Sequence, residues 1–183
     1  MSAEDVTNQK LALRRKVLAG RTEGHGCGHS HSQLLIDFAW EARAKRVACY
    51  ISFGDEPSTN VFLKHCQLDD RIELFVPRVI GDDLEWVPFS ADQIMHPLGM
   101  NEPVGESQTL DQVDLMVVPA IAADKSGNRL GRGKGFYDRA LKNVTAKKIV
   151  ALVHDDELVS SIPTESHDVA IDVVCTCSEL VEI

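Results

Sequence analysis

The densest chemistry in this 183-residue chain lies in residues 124–138, which read DKSGNRLGRGKGFYD. Glycines at 127, 131, 133 and 135 alternate with Arg129, Arg132 and Lys134. Glycine admits positive φ and leaves backbone N–H groups open to close approach by an anion. A helix is expected next, over residues 136–142, and its N-terminus would add partial positive charge at the same place. Guanidinium and ammonium groups on such a turn form a cradle for a polyphosphate. No GK[ST] is present and the glycine spacing is GxGxG, so neither a Walker A loop nor a dinucleotide fingerprint is at hand. Taken alone, the segment speaks for phosphate without choosing a nucleotide, and a flexible basic loop is the bland alternative.

Something must hold that turn. Residues 46–52, 115–119 and 149–153 (RVACYIS, LMVVP, IVALV) are short runs with apolar residues on both alternating faces, as expected of strands covered by helices on each side. Further strand-like runs occur at 72–76, 84–87 and 171–175. Helices are expected at 8–18 with Leu11, Val17 and Leu18 as the apolar stripe, and at 33–44 with Leu34, Leu35, Phe38 and Ala42 inward. Two more are expected at 59–66 and 136–142, and residues 81–83 and 99–109 read as loops. Strands alternating with helices imply an α/β fold: three layers, a mostly parallel sheet flanked by helices, in one domain spanning 1–183.

Composition narrows the function. The chain is 44% hydrophobic and 26% charged with a formal net charge of −9, which argues against a nucleic-acid partner, since phosphate backbones select basic surfaces. No apolar run is long enough to span a membrane, and the polar, acidic start is unlike a secretory or transit segment, so a cytoplasmic location is expected. The five cysteines are expected to be thiols, and size suggests a monomer with small-molecule partners only. His25, Cys27, His29 and His31 could grip a soft metal, although ligands two apart in one loop rarely close a site, and a loop without such a role is the simpler reading.

The string RLGRGKGFYD after the stretch 117–127 resembles the 5-formyltetrahydrofolate cyclo-ligase family. Lys10 and Arg14 in a KxxxR helix, YISFGDEPST at 50–59, VPR at 76–78 and ESHD at 165–168 occur in family order, so the resemblance covers nearly the whole chain. Members convert 5-formyltetrahydrofolate to 5,10-methenyltetrahydrofolate while hydrolysing ATP, with Mg²⁺, on a fold resembling that of sugar-phosphate isomerases and CoA transferases. The resemblance implies that Lys10 and Arg14 reach the ATP phosphates. It further implies that Arg129, Leu130, Gly131, Arg132, Gly133, Lys134, Gly135, Phe136 and Tyr137 line ATP. Of these, Arg132, Gly133, Lys134, Gly135 and Phe136 would also touch folate, together with Ile51 and Glu56. Asp138 and Asp168 would bind magnesium, whose preference is for hard oxygen ligands. Arg132 and Lys134 are the choices for stabilising the moving phosphoryl group, and Tyr137 for stacking or hydrogen bonding near the reacting group.

Each assignment has a plainer counterpart. Lys10 and Arg14 could be a solvated helix face, Asp138 a first-turn acid, Asp168 a surface turn, Glu56 a turn residue before Pro57, and Trp86 a core aromatic instead of a pterin platform. Phe136 stands where many relatives carry tyrosine, so no hydroxyl acts there. Two rival functions remain open at this level: a non-catalytic nucleotide or folate binder, and an enzyme acting on a sugar phosphate or another formylated metabolite.

Overall fold

The computed structural model describes residues 3–21, 30–90, 93–95 and 101–183. Helices α1 (Ala3–Gly20) and α2 (Ser30–Glu41) precede β1 (Arg46–Cys49) and α3 (Asn60–Leu68). The hairpin β2 (Glu73–Ile80) and β3 (Asp83–Pro88) is followed by the short strands β4 (Gln93–Met95) and β5 (Asn101–Pro103). Then come β6 (Gln112–Pro119), β7 (Ala122–Asp124), β8 (Arg129–Leu130), α4 (Phe136–Asn143) and β9 (Thr145–Leu152). A 3-10 turn (Asp155–Glu157), β10 (Leu158–Val159), β11 (Val173–Cys175) and β12 (Leu180–Glu182) close the chain.

The main sheet runs β12-β11-β9-β6-β1-β2-β3. Its five inner strands are parallel, and β3 and β12 pair antiparallel at the two edges. Strand alternation sends side chains into two separate cores. Val47, Cys49, Leu115, Val117, Val150 and Leu152 meet Leu35 of α2 and Phe62 and Leu63 of α3 on one face. Ala48, Met116, Val118, Ala151 and Val174 meet Ala140 of α4, Val144 and the edge aromatic Trp86 on the other. This is the expected three-layer α/β arrangement, and Trp86 is core. Each buried Leu or Phe contributes about 1.5–3 kcal/mol relative to exposure, so the central strands are held from both sides.

A second, small sheet, β10-β7-β8, carries the glycine-rich turn. Helix α1 packs on it through Leu13 and Val17, which meet Ala122, Leu130 and Ile162. Leu11 and Leu18, expected in the stripe, are exposed. The helix docks on a three-residue cluster too narrow for the stripe that periodicity suggests. In α2, Ala42 is likewise exposed beyond the helix end, and Ser30 begins the helix early enough to bury His31 and Ser32. The span 99–109, expected to be all loop, contains β5, which pairs with β4. Among the described residues no helix is long and apolar enough to cross a membrane.

Cys49, Cys66 and Cys175 are buried free thiols. Cys177 departs from expectation: it is disulfide-bonded. His25, Cys27 and His29 also lie outside them. His31, the fourth member of that candidate metal set, is a core residue whose Nε2 lies 2.6 Å from the Ser58 carbonyl oxygen. A carbonyl only accepts, so this nitrogen carries a proton and donates to the loop that follows β1.

Candidate active site

From β1 the parallel strands run one way to β2 and the other way to β6, β9 and β11, so the order reverses between β1 and β6. Open α/β sheets bind ligands at such a switch point, outside the carboxyl ends of the strands. The loops leaving β1 and β6 there are the two that the sequence marks, residues 50–59 and 120–135.

The loop after β1 is stiffened by its own side chains. Gly54, at φ +58°, allows a tight turn closed by Glu56 N–H donating to the Phe53 carbonyl at 3.3 Å. The Thr59 hydroxyl donates to the Tyr50 carbonyl at 2.9 Å and accepts from Ser52 N–H at 3.1 Å. The Tyr50 hydroxyl donates to the Pro57 carbonyl at 3.0 Å. What this frame presents is Glu56, whose side chain is only 6% exposed. Burial pushes its carboxyl above the ordinary range, a push partly offset by the Arg132 guanidinium and the Phe53 N–H.

Asp124 organises the loop after β6. Its buried carboxylate accepts from the backbone N–H groups of Ser126, Asn128 and Ile162 at 2.9, 3.0 and 2.8 Å, and from the Asn128 amide. Burial pushes this carboxyl up, but the donors more than reverse it and hold it below the usual range. Gly127 has φ +82°, and a β-carbon there would stand 2.8 Å from the Ile171 carbonyl oxygen, so no other residue fits without a shift. At the far end Gly135, in the left-handed region at φ +70°, caps α4.

Around this loop the expected cations are all engaged except one. Arg14 Nε donates to the Gly131 carbonyl at 2.7 Å. Arg129 is buried, with Nη2 on Asp138 Oδ1 at 2.5 Å and Nη1 donating to the Val169 carbonyl. Lys10, expected to reach the ATP phosphates and otherwise readable as a solvated helix face, is 5% exposed and reaches Glu165 Oε2 at 2.8 Å and Asp168 Oδ2 at 2.6 Å. Arg132 crosses to Glu56 Oε1 at 3.0 Å and lies 4.9 Å over the Phe53 ring. Lys134 is exposed and makes no ion pair or hydrogen bond among the described residues.

The structure therefore gathers Lys10, Arg14, Arg129, Asp138 and Asp168 on one side of the turn, and Arg132 and Glu56 on the other. Gly131 and Gly133 both lie against Arg14. Ile51 lies at the start of the post-β1 loop, next to Tyr50, and packs on the core. Tyr137 packs between the two cores, and burial, helped by the nearby Glu56 carboxylate, pushes its phenol well above its ordinary range. It is a neutral donor at any physiological pH. Phe136 lies under the Arg139 guanidinium at 5.5 Å. The Leu130 side chain is buried with Ala122 and Ile162, so it anchors the turn. The depression of about 510 Å³ at the α3–β2 turn, lined by His65, Leu68 and Arg71, includes none of these groups.

Asp124 and Glu165 are site-building residues that residue type alone does not single out. The contacts of Glu165 span 155 residues of sequence. Glu165, His167 and Asp168 bring ligand atoms within 4.8 Å of one another. Carboxylate oxygens of Asp168 and Glu165 are hard donors of the kind Mg²⁺ takes, so these two fit that ion, whereas Asp138 stands outside their cluster with its Oδ1 accepting from Arg129 and the Val169 N–H.

The model of the 5-formyltetrahydrofolate cyclo-ligase family matches residues 4–177. The chain belongs to that family. It is 37% identical over 142 residues to the 5-formyltetrahydrofolate cyclo-ligase of Mycolicibacterium smegmatis, covering 72% of this chain and 73% of that one. It is 34% identical over 182 residues to that of Escherichia coli K12, covering 94% and 99%. In structure it is similar to a 5,10-methenyltetrahydrofolate synthetase of Aquifex aeolicus, with TM-score 0.81, 28% identity, and 94% and 92% of the two chains covered.

Proposed function

We propose that this cyclo-ligase converts 5-formyltetrahydrofolate to 5,10-methenyltetrahydrofolate with hydrolysis of ATP to ADP and phosphate. The observation that carries the reading is the meeting of Glu56 and Arg132 across the switch point, beside a glycine-rich turn ringed by four more cations. One loop offers a buried acceptor for the N–H groups of a pterin. The other offers charge for a polyphosphate.

The chemistry explains the need for both. The N5-formyl group is an amide, with a C–N bond of partial double-bond character and a weakly electrophilic carbonyl. Transfer of the γ-phosphoryl group to its oxygen breaks the bond to the ADP oxygen and forms a P–O bond on the formyl group. N10 then attacks the activated carbon, phosphate departs with the former formyl oxygen and takes up the N10 proton, and the ring closes. Such transfers need alignment and charge neutralisation more than a covalent protein group. Lys10, Arg14 and Arg129 would hold the phosphates. Arg132 and Lys134 would meet the charge as it moves, and the backbone of Gly131, Gly133 and Gly135 would allow close approach. Tyr137, held neutral by burial, would donate a hydrogen bond to the folate side. Asp138 and Asp168 would hold Mg²⁺, which when bound neutralises nucleotide charge. A monomer acting on small molecules in the cytosol is part of the same proposal, supported against a nucleic-acid role by the net charge of −9.

The test is a continuous absorbance assay for methenyltetrahydrofolate with ATP and magnesium each supplied or withheld. Product formation that requires ATP supports the reading. Binding of nucleotide and folate without product would leave a non-catalytic binder, and turnover of a phosphorylated sugar without ATP would replace it.

A further inference from the structure

Arg21 and Glu157 form the most deeply buried ion pair among the described residues, with side chains 3% and 2% exposed. Arg21 directly follows α1, and Glu157 ends the 3-10 turn after β9. The pair is bidentate, with Nε to Oε1 at 2.5 Å and Nη2 to Oε2 at 3.0 Å, and Nη2 also donates to the Ala120 carbonyl at 3.1 Å. Glu157 Oε2 accepts a further bond from the backbone N–H of His154 at 2.9 Å. A buried pair carries a desolvation penalty that rivals its own attraction, so stability alone is a poor reason for it. Its geometric consequence is clearer: it fixes the end of α1, the β6–β7 connection and the turn after β9 to one another.

His154 extends that fixed point to the folate side. Its imidazole is buried, and Nε2 lies 3.0 Å from the Asp55 carbonyl oxygen. A carbonyl only accepts, so Nε2 carries the proton and donates. Asp55 precedes Glu56 and lies in the tight turn whose other closing contacts are the 3.3 Å bonds between Phe53 and Glu56. Nothing else among the hydrogen bonds of the described residues ties the Asp55 carbonyl to the body of the fold. Arg21 acts on the same place through space, its charge drawing the Glu56 carboxyl downward against burial.

We propose that His154 is a positioning residue for folate: its Nε2–H holds the 55–56 peptide, so that the Glu56 carboxylate stays at the site, and the Arg21–Glu157 pair holds His154 in register with the helix that bears Lys10 and Arg14. The inference rests on the proposed function and deepens its folate subsite. The device is economical in residues, since one buried pair aligns the nucleotide helix and the folate loop without touching either ligand.

The discriminating pair is His154→Gln and His154→Asn. Glutamine carries its amide nitrogen to the reach of Nε2, whereas asparagine stops at the reach of Nδ1. His154→Asn is expected to raise the KM for 5-formyltetrahydrofolate about three- to tenfold, the loss of one buried hydrogen bond. The KM for ATP and kcat should stay near wild type, and His154→Gln should restore the folate KM. Equal effects of both variants on both KM values, moving with Tm, would reduce His154 to a packing residue and overturn the proposal. So would an unchanged folate KM in His154→Asn. If the wild type binds folate without turning it over, calorimetric Kd values for the same variants decide in the same way. A wild type that neither binds nor converts folate refutes the functional reading instead.

Discussion

The Glu56 carboxylate accepts two bonds from the Arg132 guanidinium, at 3.1 and 3.0 Å, across the one place in the sheet where strand order reverses. The partners are unequal. Glu56 is 6% exposed and Arg132 46%, so the acid bears the cost of burial and the base keeps its water. On the proposed function the pair would hold a folate-binding group and a phosphate-binding group against each other, with pterin donors replacing the guanidinium on Glu56 as phosphate engages Arg132.

That asymmetry predicts a conflict between stability and activity at Glu56. Burial raises its carboxyl pKa in the folded state, so this group favours folding below its unfolded pKa and loses that contribution as pH rises through the folded value. Above that window the ionised group is a net burden. Glu56→Gln should then show an unchanged or higher Tm at pH 7 together with a folate KM raised about tenfold or more. A clearly lower Tm would mean that the ion pair stabilises the fold and that the burial argument is wrong. The acid limb of kcat/KM for folate, set in the wild type by protonation of Glu56, should move to higher pH in Arg132→Ala.

Lys134 and Arg129 should separate a loop cation that acts on the ligand alone from one that also holds the fold. Lys134 is exposed and unengaged among the described residues, so Lys134→Ala should leave Tm unchanged while lowering turnover about tenfold or more. Arg132→Ala should do worse in the same assay, because that side chain sits nearer the Glu56 side of the site. Arg129→Met should instead cost about 3 kcal/mol of stability, the lower end for breaking a buried pair, because Asp138 keeps some solvent and the Val169 N–H. Urea unfolding alongside initial rates measures both. Wild-type rates in Lys134→Ala and Arg132→Ala would remove the loop from the mechanism.

These residues also show where a sequence speaks and where it falls silent. Val47, Val117 and Val150 sit in runs apolar on both faces, and that pattern alone implies helices above and below, which is what the two cores contain. Glycines alternating with cations betray the loop because backbone freedom and charge are properties of residue type. The partners of Lys10 are a different matter. Glu165 and Asp168 lie 155 and 158 residues away, and no local pattern encodes a contact that only the closed sheet creates. Strands of two or three residues such as β5, β8 and β10 are made by pairing rather than propensity, so they escape periodicity. The packing face of α1 keeps the expected Val17 but replaces Leu11 for a related reason: both Leu11 and Leu13 are apolar, and only the position of Ile162 and Leu130 chooses Leu13.

Asp114 gives a stability test remote from the chemistry. Its carboxylate accepts from the Lys45 and Arg46 N–H groups at 2.8 and 3.0 Å and pairs with Lys147 Nζ at 2.6 Å, joining the amino ends of β1, β6 and β9. Burial pushes it up, yet the Lys147 bond and the two N–H donors lower it to about 2. A depressed acid stabilises the fold above its unfolded pKa and loses that contribution as pH falls through the folded value. Asp114→Asn should therefore cost about 1–2 kcal/mol at pH 7, with the gap to wild type closing between about pH 4 and pH 2. Specific activity at 25 °C should be unaltered. A gap that persists at pH 2 would assign the loss to packing.

The last prediction concerns the acids that hold Lys10. Glu165 is drawn below its ordinary pKa first by the Lys10 bond, and Asp168 by the same lysine and the Glu165 N–H, which together outweigh its burial. Both are thus ionised throughout the physiological range, and each has an oxygen not bonded to Lys10. Asp168→Asn keeps the shape but halves the negative charge facing the ammonium. It should raise the Mg²⁺ concentration for half-maximal rate about tenfold or more, since a hard cation loses an anionic oxygen. Glu165→Gln should have a smaller effect on Mg²⁺ and a larger one on the KM for ATP, because Lys10 then has one anchor in place of two. Lys10→Met should raise the ATP KM without increasing the Mg²⁺ requirement, because it leaves both carboxylates free for the ion. Rates titrated with Mg²⁺ at saturating ATP, and with ATP at saturating Mg²⁺, separate these cases. An Asp168→Asn enzyme with a wild-type Mg²⁺ curve would confine Asp168 to holding the lysine.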